Sequence, residues 1–238
     1  MNELEATISQ VIDENNISFE WGKEVLNELK HAELDLNSKR KDLTRVPFIT
    51  IDGSDAKDFD DAIHCIYSKS SFTLSVAIAD VAELVQPGTA LDDEALNRGT
   101  SIYFPSKVIP MLPEEISNNL CSLVPNQIRN VVVCEIAFSE LGEVRGYNFF
   151  EARIKSHKRM TYAEVDKFLA AGSGLESNIS NSIKSLHKLT KALLNIRSKR
   201  GALEIESQEP ILDINLEGKV NKIILPKRLF SHQMVEES

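Results

Sequence analysis

The 238-residue chain predicts an α+β fold. Apolar residues recur at helical spacing near both ends. The middle, Phe48 to Gly146, breaks into short runs rich in β-branched and aromatic residues. The two kinds of segment are grouped rather than alternated, which argues against a sheet wound from βαβ units.

Residues 1–34 read as helical. Leu4, Ile8, Val11 and Ile12 keep a helical period, and Trp21, Val25, Leu26 and Leu29 resume it after the break at Asn15–Ser18. Residues 35–46 are polar and basic and predict a linker, so a helical leader and linker over 1–46 precedes a main body over 47–238. PFITI, AIHCIY and FTLSVAIADV have the composition of strands, and Ser68–Ser71 suits a hairpin turn. VVVCEIAFS and VRGYNFFEARI predict a second strand pair about Leu141-Gly142. Between the pairs, Pro105, Pro110 and Pro113 interrupt any long helix. Thr161 with Glu164 forms a capping-box pattern for a short helix that GSG at 172–174 ends. Residues 178–199 predict an amphipathic helix with Ile183, Leu186, Leu193 and Leu194 on its apolar side. Beyond Arg200-Gly201, ALEIESQEPILDINLEG and VNKIILP predict a closing strand pair.

With 42% hydrophobic and 26% charged residues, the chain has the makings of a packed core. No run reaches the roughly 18 apolar residues of a membrane span, and the acidic N-terminus lacks the pattern of a signal peptide. Cys65, Cys121 and Cys134 lie far apart without metal-ligand spacing, as expected of buried thiols in the cytoplasm. The net charge of −9 is unevenly spread. Arg153 to Arg200 holds 11 Lys and Arg against 3 acids, a local +8 that leaves −17 elsewhere. Such a segment is either a solvated face or a surface that follows phosphates.

The densest chemistry lies in FITIDGSDAKDFDDAIHC, where Asp52, Asp55, Asp58, Asp60 and Asp61 fall within ten residues. Carboxylates that close repel unless water or a cation intervenes. Asp52 ends an apolar strand and Gly53 permits a sharp turn, so a strand end and a loop can aim several oxygens at one point. Hard oxygen donors suit Mg²⁺ or Mn²⁺. Two such ions would serve phosphodiester cleavage. A Ca²⁺ loop counted from Asp52 fails, because its sixth and twelfth positions are Lys57 and Ile63. A glycosidase carboxylate pair rarely comes four to a loop, and an exposed acidic turn remains the plain alternative.

TIDGSDAKDFDDA resembles the catalytic signature of the ribonuclease II / ribonuclease R family, whose catalytic region is the RNB domain. The resemblance continues through VAIADVAELVQPGTALDDEALNRGTSIYFPSKVIPMLPEEISNNLCSLVP, RMTYAEV, RGALEIESQEP and HQMVEES, over roughly residues 15–237, and is closest to the ribonuclease R branch. It implies a processive 3′-to-5′ exoribonuclease that acts on single-stranded RNA and releases nucleoside 5′-monophosphates with two divalent ions. It further implies a metal site of Asp52, Asp58, Asp60 and Asp61, with Asp52 and Asp61 as direct ligands, Asp58 and Asp60 catalytic, and Asp60 the carboxylate on which catalysis most depends. Tyr103 matches an aromatic that packs on bases near the RNA 3′ end. Tyr162 matches a position that helps tell RNA from DNA through sugar contacts. One of Glu236 and Glu237, taken as Glu237, matches a further RNA-contacting carboxylate.

Asp55 falls at a variable position of the motif, and Asp80 reads equally as a strand-end residue. His64 lies beside the cluster but reads as a strand residue, since magnesium sites prefer oxygen, and His157 and His232 show no ligand spacing. Ile205 stands where some relatives place a stacking phenylalanine. Cold-shock and S1 modules are not visible, and the resemblance reaches only the N-terminal half of the catalytic domain. The second half, which in the family supplies an arginine for the scissile phosphate, is expected as a partner. Arg153, Arg159, Arg197 and Arg200 are substitutes by charge alone. A non-catalytic RNA- and metal-binding fragment or subunit is the alternative function.

Overall fold

The computed structural model describes residues 2–203, 210–215 and 217–238. It has two compact units. One comprises the described parts of Met1–Ala32, Val85–Glu114 and Ile205–Arg228; the other comprises those of Glu33–Leu84, Glu115–Glu204 and Leu229–Ser238.

In the first unit, α1 (Glu3–Glu14) starts at an Asn2–Glu5 capping box, and α2 (Lys23–Leu29) follows the expected break. The apolar stripe of α1 explains its packing: Ile8 and Ile12 bury against Ile109. The proline-dotted segment forms the hairpin β5 (Ile102–Phe104) and β6 (Lys107–Ile109). β10 (Ile211–Ile214) and β11 (Val220–Ile224) pair antiparallel, as the sequence predicts. Helix α3 (Ala90–Arg98), capped by Thr89, was not expected. Its LDDE start hides the signal, since only Leu91 and Ala95 of the helix are buried.

The second unit is a seven-stranded mixed sheet in the order β1-β8-β7-β4-β3-β2-β9. Its strands are β1 (Lys41–Asp42), β2 (Ile49–Asp52), β3 (Asp61–Ser68), β4 (Ser71–Ala79), β7 (Ile128–Ser139), β8 (Val144–Lys155) and β9 (Lys158–Thr161). β1 lies in the segment expected to be a linker, where it pairs in parallel with β8 at Ala152 and Arg153. Lys41 and Asp42 carry no strand signal of their own; the partner strand supplies it. β2 is antiparallel to β3 and parallel to β9. The other junctions are antiparallel.

Helices α4 (Tyr162–Ala171), α5 (Ser177–Lys199) and α6 (Phe230–Glu236) accompany the sheet. The expected Thr161–Glu164 capping box opens α4. The apolar side of α5, with Ile179, Ile183, Leu186 and Leu189, buries against Ile63, Cys65, Phe72 and Leu74 of the sheet. The β3 edge is closed in part by the helix, because Ser182 Oγ accepts the Cys65 backbone N–H at 3.0 Å. Gly142, in the β7–β8 turn, has φ +87°, and a Cβ there would stand 3.2 Å from Ala192 of α5. Both the turn and the close approach require glycine.

Strand alternation puts Ile78, Val132, Tyr147 and Phe149 on the face that carries Phe72, Leu74 and Phe138, but outside the helix-covered zone. Tyr147 and Phe149 are 70% and 63% exposed, so this end of the face is an uncovered apolar strip.

The α5–sheet contact sets the stability of the unit. Ile183→Ala should cost about 2–5 kcal/mol in denaturant unfolding, whereas the exposed Lys184→Ala should stay within about 0.5 kcal/mol. Equal effects would place the core elsewhere.

Candidate active site

Three devices position the aspartate run. Ile49 and Ile51 are buried in the core, which fixes β2 and brings Asp52 to its end beside Thr161 of β9. Arg159, one strand over, donates from Nη2 to the carbonyls of Gly53 (3.1 Å), Ser54 (2.8 Å) and Ala56 (3.3 Å), so one guanidinium gathers the turn after Asp52. Phe59, inside the acidic run, is buried with its ring 4.9 Å from that guanidinium. Ser122 Oγ accepts the Phe59 N–H at 3.0 Å and donates to Lys57 O at 3.1 Å, and the Leu123 N–H donates to Phe59 O at 2.8 Å. Phe59 is therefore a plug that fixes Asp58 and Asp60 on either side of it. The Ala79 N–H holds Asp60 O at 2.8 Å, and β3 begins at Asp61.

Arg129 stands behind Ser122. Its buried guanidinium donates to Ser122 O and Asn119 O, each at 3.0 Å, and to Gln127 Oε1 at 2.7 Å. With neutral partners only, burial pulls its pKa below the usual arginine value.

The carboxylates are held where charge is costly. Burial, then the Asp61 charge, lifts the Asp52 pKa from 3.8 to about 6; Arg159 opposes the rise, while Asp58 and Asp60 add to it. Asp60 is raised by the protein packed about it and by Asp58, although its side chain keeps solvent contact. Asp61 is raised by burial and by Asp60. Asp52 Oδ2 is buried without a hydrogen-bond partner, a state that normally costs free energy. A hard cation would satisfy that oxygen and relieve the repulsion. Among the described residues, no three His, Cys, Asp or Glu side chains converge on a ready-made ion cage. Mg²⁺ commonly takes one or two carboxylates and completes its shell with water and phosphate oxygens, so an Asp52/Asp61 pair fits that use.

Residues 40–238 match the RNB domain family. The chain belongs to that family. The RNB chain is 41% identical over 231 residues to ribonuclease R of Vibrio cholerae, covering 94% of itself and 28% of that protein. With ribonuclease R of Escherichia coli it is 45% identical over 202 residues, 83% of the chain and 25% of the relative. The structure of Mycoplasma genitalium RNase R in complex with ribose-methylated single-stranded RNA superposes with a TM-score of 0.91 at 34% identity, over 97% of this chain and 37% of that one. The chain thus spans about a quarter to a third of the curated relatives it matches.

Tyr162 opens α4 and faces the aspartates. Burial raises its hydroxyl pKa, with further push from Asp52, Asp61 and Glu236, so the hydroxyl stays a donor at neutral pH. Its ring stacks on His232 at 3.9 Å and 16°. That histidine had no role in the sequence. The Ser231 hydroxyl ties α6 to α4 through Tyr162 O (2.9 Å) and the Asp166 carboxylate. Of the two terminal glutamates, Glu236 is the one whose charge reaches Tyr162, while Glu237 accepts an ion pair from Arg197 of α5. Arg159 and Arg197 are thus engaged with the loop carbonyls and with Glu237. Tyr103 belongs to the other unit, on β5, and is 69% exposed. Ile205 lies outside the described residues.

Asp80 pairs with Arg40 at 2.7 Å in a largely buried ion pair that Glu83 extends. Asp55 is exposed on the turn. His64 is a buried strand residue with its ring 5.9 Å from that of Phe48, and burial lowers its pKa. Burial also pushes the Cys65 and Cys121 thiols up to about 12, which leaves both unreactive. Phe59 was visible as the one aromatic among the aspartates. Ser122 carried no signal because it acts on Phe59 from 63 residues away, and Arg129 acts on the aspartate loop only through Ser122.

Because the folded state holds the Asp52 proton more tightly than the unfolded chain, this group's contribution to stability is full below about pH 4 and lost as pH rises through about 6. In chelator, Asp52→Asn should stabilise the protein at pH 7.5 by about 1–2 kcal/mol, a figure discounted for partial solvent screening. At pH 4 it should give no gain. Chemical denaturation at both pH values checks this, and a loss at pH 7.5 would contradict the strained-carboxylate account.

Proposed function

We propose that this chain carries the metal-binding part of the active site of a 3′-to-5′ exoribonuclease that hydrolyses single-stranded RNA processively to nucleoside 5′-monophosphates. The observation that carries the proposal is the buried, partnerless Asp52 oxygen beside Asp61, inside a run pinned by Arg159 and Ser122. Support for the RNA substrate comes from the Mycoplasma genitalium relative, described in complex with single-stranded and with double-stranded RNA.

Asp52, Asp58, Asp60 and Asp61 would hold two divalent ions, Mg²⁺ or Mn²⁺. When bound, such ions supply positive charge to a phosphodiester and increase the acidity of water. Hydrolysis adds the oxygen of water to phosphorus, breaks the bond to the 3′-oxygen of the preceding nucleotide, and leaves a proton on that oxygen. The products are a nucleoside 5′-monophosphate and an RNA one residue shorter. Asp60, partly open to solvent beside the other aspartates, is suited to orient the attacking water. Tyr162, kept protonated, is suited to donate to a ribose hydroxyl and favour RNA. Tyr103 would stack on bases without reading them. Glu237 would contact RNA only by exchanging its Arg197 partner. Action in the cytoplasm fits three free thiols.

A second role is favoured by the uncovered strip at Tyr147 and Phe149. In it the chain binds metal and RNA as one part of a catalytic unit that a further segment or a separate RNA-binding module completes.

A time course on uniformly labelled single-stranded RNA with an accessible 3′ end and Mg²⁺ tests the first role. Nucleoside monophosphates should appear, and Asp60→Asn should slow their release by about 10²-fold or more. Release unchanged in that variant would sink the assignment. Mn²⁺ titration by calorimetry gives an independent readout, and Asp52→Asn/Asp61→Asn should abolish the heat. Mn²⁺ binding by folded protein that releases no nucleotide selects the second role.

A further inference from the structure

We infer that the solvent face of α5 is a second RNA-contact surface, a row of cations that follows the phosphate backbone away from the aspartate site. The inference rests on the RNA substrate proposed above.

The 23 residues of α5 contain no Asp or Glu, yet carry Lys184, Lys188, Lys191, Arg197 and Lys199, in a chain whose net charge is −9. Burial of Ile179, Ile183, Leu186 and Leu189 fixes the rotation of the helix. Positions 184, 188, 191, 195 and 199 then fall on one solvent-facing stripe, and all five residues are exposed. At 1.5 Å per residue the stripe is about 22 Å long. Two of the helix's cations have carboxylate partners. Lys188 is held by Glu140 at 2.9 Å and lies 3.7 Å over the Tyr67 ring, and Arg197 pairs with Glu237. Among the described residues, Lys184, Lys191 and Lys199 form no ion pair.

At its N-terminal end the stripe runs into a groove of about 440 Å³ between α5 and the edge of β3, where Asn178, Asn181 and Lys184 stand opposite Tyr67. Amide donors beside ammonium groups are the usual equipment for phosphate and sugar contacts, which fix position without reading sequence. A protein partner is disfavoured because the stripe offers no large apolar or aromatic anchor for a binding hot spot. A linear polyanion neutralises a linear row of unpaired lysines along its whole length.

The test is fluorescence anisotropy with a 5′-fluorescein 20-mer of polyadenylate RNA, in EDTA, across 50–300 mM KCl. The full chain is compared with Lys184→Gln/Lys191→Gln/Lys199→Gln and with Asp60→Asn, each shown folded by circular dichroism. The triple variant should bind at least ~10-fold more weakly at 100 mM salt, with the slope of log K against log salt reduced by about 2, near 0.7 for each phosphate that is no longer neutralised. The Lys→Arg triple should bind like the native chain. Affinity and slope unchanged in the Lys→Gln triple would overturn the inference, and so would equal displacement of RNA by polyglutamate at matched charge. Asp60→Asn that binds RNA normally, together with nucleotide release that Asp60→Asn leaves unchanged, would retire the catalytic proposal while this surface stands.

Discussion

The crowding of Asp52, Asp58, Asp60 and Asp61 into one strand end and one loop is the constraint around which the sheet-bearing unit is built. Left to themselves, four carboxylates would splay into water. Here the loop is fixed before any charge is satisfied. Arg159 collects three carbonyls of the turn, Ser122 grips the chain on both sides of Phe59, and β3 starts at Asp61 itself. Burial and the Asp61 charge lift the Asp52 carboxyl to about 6, so its charged form is disfavoured there. Packing elsewhere in the unit has to offset that cost, and the contact of α5 with the sheet is part of that packing.

The mixed sheet makes the arrangement possible. β2 is only four residues long, with β3 antiparallel on one side and β9 parallel on the other. The parallel neighbour sets Arg159 beside the turn that leaves β2, and then passes directly into α4 at Tyr162. A single short strand therefore has the aspartate loop, the loop's anchor and the Tyr162 hydroxyl grouped about one end. Arg159 and Arg129 serve different ends with the same chemistry. Each gives its guanidinium to carbonyl oxygens rather than to a carboxylate, so each stiffens a loop, and Arg159 in addition offsets part of the negative charge about Asp52.

Charge is segregated in the same way. The acidic run occupies a strand end, while the basic residues are carried by a helix whose rotation is fixed by its own apolar side. The uncovered strip of Tyr147 and Phe149 lies on β8, two strands across the sheet from Leu74 in the α5 contact. This face of the sheet is apolar both where it is covered and at Tyr147 and Phe149 where it is open, and the helix laid over it carries a row of cations on its solvent side.

By itself the sequence determined the elements whose signals are local. Periodicity gave the helices at 3–14 and 177–199, Thr161 and Glu164 the start of α4, and β-branched runs the long strands. It also singled out the aspartates, since like charges at such density are rarely accidental, and long motifs tied them to one family. Only the tertiary structure decided what depends on distant partners. β1 is a strand because β8 is there, and α3 is a helix with little apolar pattern to announce it. Asp80 belongs to Arg40, and Glu236 rather than Glu237 reaches Tyr162. Ser122 holds Phe59 and Lys57 from 63 and 65 residues away, with Arg129 bracing Ser122 from behind. Local patterns write themselves into neighbouring residues, whereas a hydrogen bond across the fold leaves no mark on the sequence at either of its ends.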